Sequence, residues 1–141
     1  MKHSSLRLRL YNSAMRFVIL HHTGWPAHPD HFDLMLQFAE GDDDNSQVLR
    51  TFSTLADSFP SGNSERLREI QHHRRLYLTY QGNLSDDRGN VERVDDGNVE
   101  SVPFHESLDK FGLIFRLSGH ILCGTFQLLE ISPSEFTFEK I

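Results

Sequence analysis

The chain has 141 residues, a formal charge of −6 and one cysteine, Cys123. That length fits one ordinary domain, the lone cysteine excludes an internal disulfide or a Cys-built zinc site, and the acidic balance argues against a sequence-blind nucleic-acid coat. The basic start MKHSSLRLRLYNSAMRF has no continuous apolar core and no apolar run reaches spanning length, so the expectation is a cytoplasmic protein without membrane contact.

In chain order the sequence reads mostly as strands. RFVILHH (16–22) is a short apolar run, consistent with a buried strand. HFDLMLQF (31–38) alternates: Phe32, Leu34, Leu36 and Phe38 face one way, His31, Asp33, Met35 and Gln37 the other. GDDDNS (41–46) reads as a loop, 48–55 as a strand and FPSGN (59–63) as a breaker. Ser64 then caps an expected short helix over 65–72, with Leu67 and Ile70 on its inner face. LYLTYQ (76–81) reads as a strand. Residues 91–94 and 98–102 flank Asp96-Gly97, a hairpin signal. A helical turn is expected at 107–111, and Ser118-Gly119 marks another hairpin between 113–117 and 120–122. Gly124 signals a bulge before a last strand at 125–131. The expected fold is mainly β, a compact antiparallel β-barrel with one or two short helices. The domain is expected over 15–131, with 1–14 and 132–141 as peripheral tails.

The segment His21 to Asp33, HHTGWPAHPDHFD, holds four histidines and two aspartates. His31 and Asp33 share one face of their strand, because side chains repeat every second residue. If the two strands pair antiparallel, His22 approaches them. Two imidazoles and one carboxylate suit a divalent first-row metal with open positions, as a hydrolytic centre needs. His21 falls on the face opposite His22 and His28 sits in mid-loop, so neither is assigned a role.

The order RFVILHH, HFDLMLQF, VLRTF, HHRRLYLTYQG, RGNVERVDDG, FRLSGHILCGTFQLL resembles the 3′-phosphoesterase domain of bacterial DNA ligase D, and in particular its short stand-alone relatives. The resemblance runs from about Arg16 to about Leu129. The family's first His falls on His22, its H-Y-D on His31 and Asp33, and its H-P-x-x-Y on His73 and Tyr77. The resemblance implies a compact β-barrel that binds a divalent metal, manganese first and zinc second, through His22, His31 and Asp33. It implies trimming of nucleic-acid 3′ ends, by removal of a 3′-phosphate or a terminal ribonucleoside, in DNA repair. His73 would donate a proton to the scissile phosphate or stabilise its charge, and Tyr77 would orient the same group. Expected partners are nucleic-acid 3′ ends and DNA-repair ligase or polymerase proteins, and the chain is expected to be a monomer.

Three family positions differ. Met35 stands where the family has Arg, Leu20 where it has Gln, and Ala56 near its Lys. A methionine cannot replace the two-pronged guanidinium donor. The loop between His22 and His31 is also longer than in the family. Arg16, Arg66, Arg68 and Arg74 are the candidates to take over phosphate binding. Two other readings stay open: an end-binding or scaffold domain of the same fold with weakened chemistry, and a non-haem iron oxygenase, which uses the same ligand set.

Overall fold

The computed structural model describes residues 15–62, 64–102 and 112–141. The strands are β1 (Arg16–Thr23), β2 (His31–Gln37), β3 (Leu49–Thr54), β4 (Glu65–His73), β5 (Gly82–Asn83), β6 (Asn90–Ser101), β7 (Gly112–Gly119), β8 (Cys123–Ser132) and β9 (Glu135–Lys140). A single 3-10 helix, Arg75–Leu78, lies between β4 and β5 among the described residues.

The order β1-β2-β3-β4-β9-β8-β7-β6 closes on itself, because β6 also pairs with β1; the short β5 adds to the outer end of β6. Every pairing is antiparallel. The result is a closed antiparallel barrel of eight strands, which leaves no long free edge.

Period-two alternation fills the interior. Phe17 and Ile19 of β1, Phe32, Leu34 and Leu36 of β2, Phe52 of β3, Leu67 of β4, and Phe136 and Phe138 of β9 form one apolar cluster. The opposite face of β1 and β2 is also buried, through Val18, Leu20 and Met35, which pack with Val48, Leu49, Tyr77, Leu78 and Val91. Part of the barrel's outer wall is therefore roofed, by the 3-10 helix and the chain after it. That roof is why RFVIL is apolar on both faces.

Several expectations are corrected. Residues 65–72 form a strand rather than a helix: Glu65 and Leu67 are buried while Arg66 and Arg68 are exposed, which is a period of two. The spacing of Leu67 and Ile70 imitates a helix because Leu67 faces the interior while Ile70 lines the outer cavity. The expected strand at 76–81 is a 3-10 turn followed by loop. Adjacent Tyr77 and Leu78 are both buried against one outer wall, which a strand, pointing neighbours to opposite faces, does not allow. Asp96-Gly97 is not a turn but lies inside β6. Gly97 is there for close strand approach, since a Cβ would collide with the Ser118 carbonyl. Finally, the end of the chain is not a peripheral tail. β9 sits between β4 and β8, with Phe136 and Phe138 in the core.

A hairpin does join β7 and β8, but Ser118-Gly119 end β7 and residues 120–122, expected as strand, form the turn; the register runs unbroken through Gly124 (φ +132), without the expected bulge. The buried Asp95 carboxylate organises that turn, accepting backbone N–H bonds from His120 (2.8 Å), Ile121 (3.1 Å) and Leu122 (2.8 Å), and from Asp96 (2.9 Å). The expected helical turn at 107–111 and the first fourteen residues lie outside the described residues.

Candidate metal centre

Antiparallel pairing of β1 with β2 sets His22 opposite His31, and Leu20 opposite Asp33. The three side chains emerge on the outer, roofed face, and one ligand atom from each lies within 4.8 Å of the others. His22 and Asp33 are buried and His31 is half-buried.

Each imidazole is anchored by one ring nitrogen. His22 Nε2 lies 2.6 Å from the Arg88 carbonyl oxygen. His31 Nδ1 lies 3.0 Å from the Pro29 carbonyl oxygen. A carbonyl only accepts, so the anchored nitrogen carries a proton, and the other nitrogen, Nδ1 of His22 and Nε2 of His31, is the one a metal would take once it is unprotonated. Such anchoring fixes tautomer and ring angle in metal-ligating histidines. Burial lowers the His22 pKa below the ordinary value, against the opposite pull of the Arg88 carbonyl, which favours the neutral ring a metal requires. The hydrogen-bonded Asp33 carboxylate raises the His31 pKa, and His31 Nε2 is 3.3 Å from Asp33 Oδ2.

The other oxygen of that carboxylate, Asp33 Oδ1, is buried with no hydrogen-bond partner. Buried polar atoms are nearly always paired, and leaving one unpaired costs about 1–3 kcal/mol. A divalent cation held by His22, His31 and Asp33 would satisfy it. The donor set of two nitrogens and one carboxylate is hard enough for manganese and equally suited to zinc.

These residues open into a cavity of about 620 Å³. His73, Arg74 and Tyr77 line it too. His73 Nδ1 is 3.0 Å from the Gln71 carbonyl oxygen, so its Nε2 is the nitrogen left for other partners. The His73 ring meets Tyr77 edge-on, with centroids 5.8 Å apart. Arg74 donates to Asn45 Oδ1 at 3.0 Å, with its guanidinium 5.7 Å from the Tyr77 ring centroid.

The other three arginines are not brought to the cavity. Arg16 starts β1, six residues from His22, and pairs with Asp96 at 2.9 Å. Arg66 and Arg68 are exposed on β4, and Arg68 is engaged by Glu135 at 2.6 Å. Met35 and Leu20, at the family's Arg and Gln positions, are buried in the apolar patch under the roof. Ala56 is exposed beyond the end of β3.

Sequence reasoning missed several contributors. The carbonyls of Arg88, Pro29 and Gln71 carry no side-chain signal. Trp25 and His28 line the same cavity, Trp25 stacking on His22 with centroids 5.3 Å apart and planes 20° apart. A tryptophan in a Gly- and Pro-containing loop beside four histidines is the signal that was available. His21, by contrast, turns away and stacks on Phe32 at 4.1 Å.

No family model matches the chain, and no curated protein matches it. No helix among the described residues is long and apolar enough to cross a membrane.

Proposed function

We propose that this chain is a divalent-metal-dependent phosphoesterase acting on 3′ ends of nucleic acid. The observation that carries the reading is the unpartnered, buried Asp33 Oδ1 within a His22–His31–Asp33 cluster that shares one cavity with His73, Arg74 and Tyr77. The resemblance to the ligase D 3′-phosphoesterase domain supplies the substrate class. Manganese is the first choice of ion and zinc the second.

His22, His31 and Asp33 would hold such an ion, which would supply Lewis-acid charge for a phosphate oxygen and lower the pKa of a water. The remaining work falls to the chain's own side chains. His73, anchored through Nδ1, would as the imidazolium present Nε2–H to donate a proton to the leaving oxygen or a hydrogen bond to the phosphate. Tyr77, packed edge-on against it, holds the ring's orientation. Arg74 offers the phosphate a cation from the same wall. The product is a 3′-hydroxyl, which polymerases and ligases need, so those enzymes are the proposed partners.

A second reading has its own observation. Where the ligase domains carry a guanidinium, Met35 is buried in apolar surroundings, and this favours an end-binding domain that retains metal but not turnover. Selectivity between ends tests the first reading. Manganese-dependent phosphate release from a 3′-phosphorylated duplex, with a 5′-phosphorylated duplex left intact, is the expected result. Metal binding without release from either duplex supports the second. Iron-dependent oxygen consumption instead would move the site to oxygenase chemistry.

A further inference from the structure

Beside the candidate metal centre the loop between β1 and β2 builds an aromatic wall. Trp25 stacks on His22, and the His28 ring lies against Trp25 with centroids 3.8 Å apart. Two bonds hold the loop in shape: His28 N–H to the Trp25 carbonyl (2.9 Å) and Gly24 N–H to Asp30 Oδ1 (3.1 Å). Gly89 supports it from below, where a Cβ would strike the Thr23 carbonyl and the Trp25 nitrogen. The indole is half-buried, and His28 is exposed. Both rings line the cavity that holds His22, His31 and Asp33.

The ring faces of this wall offer phosphate neither a cation nor an N–H donor, which on these rings lie only at the edges. They suit a flat apolar π face next to the phosphate, which is what a nucleobase offers. Base–aromatic stacking is tolerant of base identity, because every base has a π face. The charged side of the cavity, with His73 and Arg74, is left for the phosphate. The aromatic side sits on the longer loop that separates this chain from the ligase-fused domains.

We infer that the Trp25–His28 wall is a stacking subsite for the nucleobase of the 3′-terminal nucleotide, which makes nucleotide-borne phosphate the substrate class rather than phosphate esters in general. The inference rests on the phosphoesterase reading for its turnover test but has an independent binding test. Trp25 is the sole tryptophan of the chain, so intrinsic fluorescence reports this one ring.

Two arms decide it. In the first, fluorescence is titrated with adenosine 3′-monophosphate or inorganic phosphate in the presence of manganese. Quenching by the nucleotide well beyond that by phosphate, weakened in His28→Ala, is expected; equal quenching by both overturns the subsite. In the second, turnover is compared for a 3′-phosphorylated oligonucleotide ending in a normal nucleotide and one ending in an abasic residue. Wild type should prefer the base roughly 5- to 150-fold in kcat/KM. Trp25→Ala should lose that preference and Trp25→Phe should keep most of it. Equal use of both substrates by wild type contradicts the subsite while leaving the phosphoesterase intact. Nucleotide-specific quenching without any turnover keeps the subsite and removes the phosphoesterase.

Discussion

The imidazole of His31 and the carboxylate of Asp33 face each other at 3.3 Å, Nε2 to Oδ2, while the second oxygen of the same carboxylate is buried and unpartnered. The pair is thus half satisfied by protein alone. A cation would complete it.

Without metal, Asp33 is a burden on the fold. Asp33→Ala should leave the metal-free melting temperature unchanged or raise it, because the uncompensated buried oxygen goes. Wild type should gain about 2.7 kcal/mol with metal at a hundred times its Kd, and the variant should gain nothing. Thermal melts with EDTA and with manganese measure both effects. A metal-free variant several degrees less stable would mean that the contact between Asp33 Oδ2 and His31 outweighs the cost of the unpartnered Oδ1.

His73→Ala should lower turnover about 10²- to 10⁴-fold with metal affinity retained, since its Nδ1 is engaged by the Gln71 carbonyl and it lies outside the ligand cluster. Kinetics alongside a manganese titration separates the two. Lost metal would place His73 among the ligands.

Gly89 is expected to act on the metal from a distance. Its φ is +88 and a Cβ would collide with the Thr23 carbonyl, so Gly89→Ala must shift the neighbouring Arg88 carbonyl that anchors His22. Loss of such an anchor weakens metal binding about 10- to 100-fold. The check is zinc or manganese affinity in Gly89→Ala, with circular dichroism to confirm the barrel. Unchanged affinity would show that the anchor is dispensable.

Glu65 gives a pH signature away from the site. Burial raises its pKa, opposed by the hydrogen bond from the Ser61 N–H. A carboxyl whose folded pKa is raised contributes stability that is present below its unfolded pKa and lost as pH rises through the folded value. Glu65→Gln, which keeps an acceptor for Ser61, should therefore be more stable than wild type at pH 7. The gap should close near pH 4. Urea unfolding at the two pH values reads it, and a constant gap would contradict the assignment.

The barrel was legible where alternation is clean. HFDLMLQF revealed both its strand and the shared face of His31 and Asp33, and RFVILHH revealed its buried strand. Reading failed where an outer roof changed the rules. Tyr77 and Leu78 look like strand residues because both are apolar enough to be buried, yet they bury together from a 3-10 turn. Asp96-Gly97 carries turn chemistry, but tertiary pairing with β1 and β7 overrides it. The last strand, EFTFEK, alternates, but its six residues are too short a signal to set it apart from a tail. At the site, the side chains of the cluster were readable from spacing. The carbonyl anchors were not, because every residue carries the same carbonyl and only the fold chooses which one is used.

The most direct measurement of the central claim is phosphate release from a 3′-phosphorylated primer-template by wild type and Asp33→Ala, each with manganese, zinc or EDTA. Release by wild type with metal, none with EDTA, and none from Asp33→Ala under any condition are expected. Release that survives EDTA or the loss of Asp33 would contradict a metal-dependent centre at His22, His31 and Asp33.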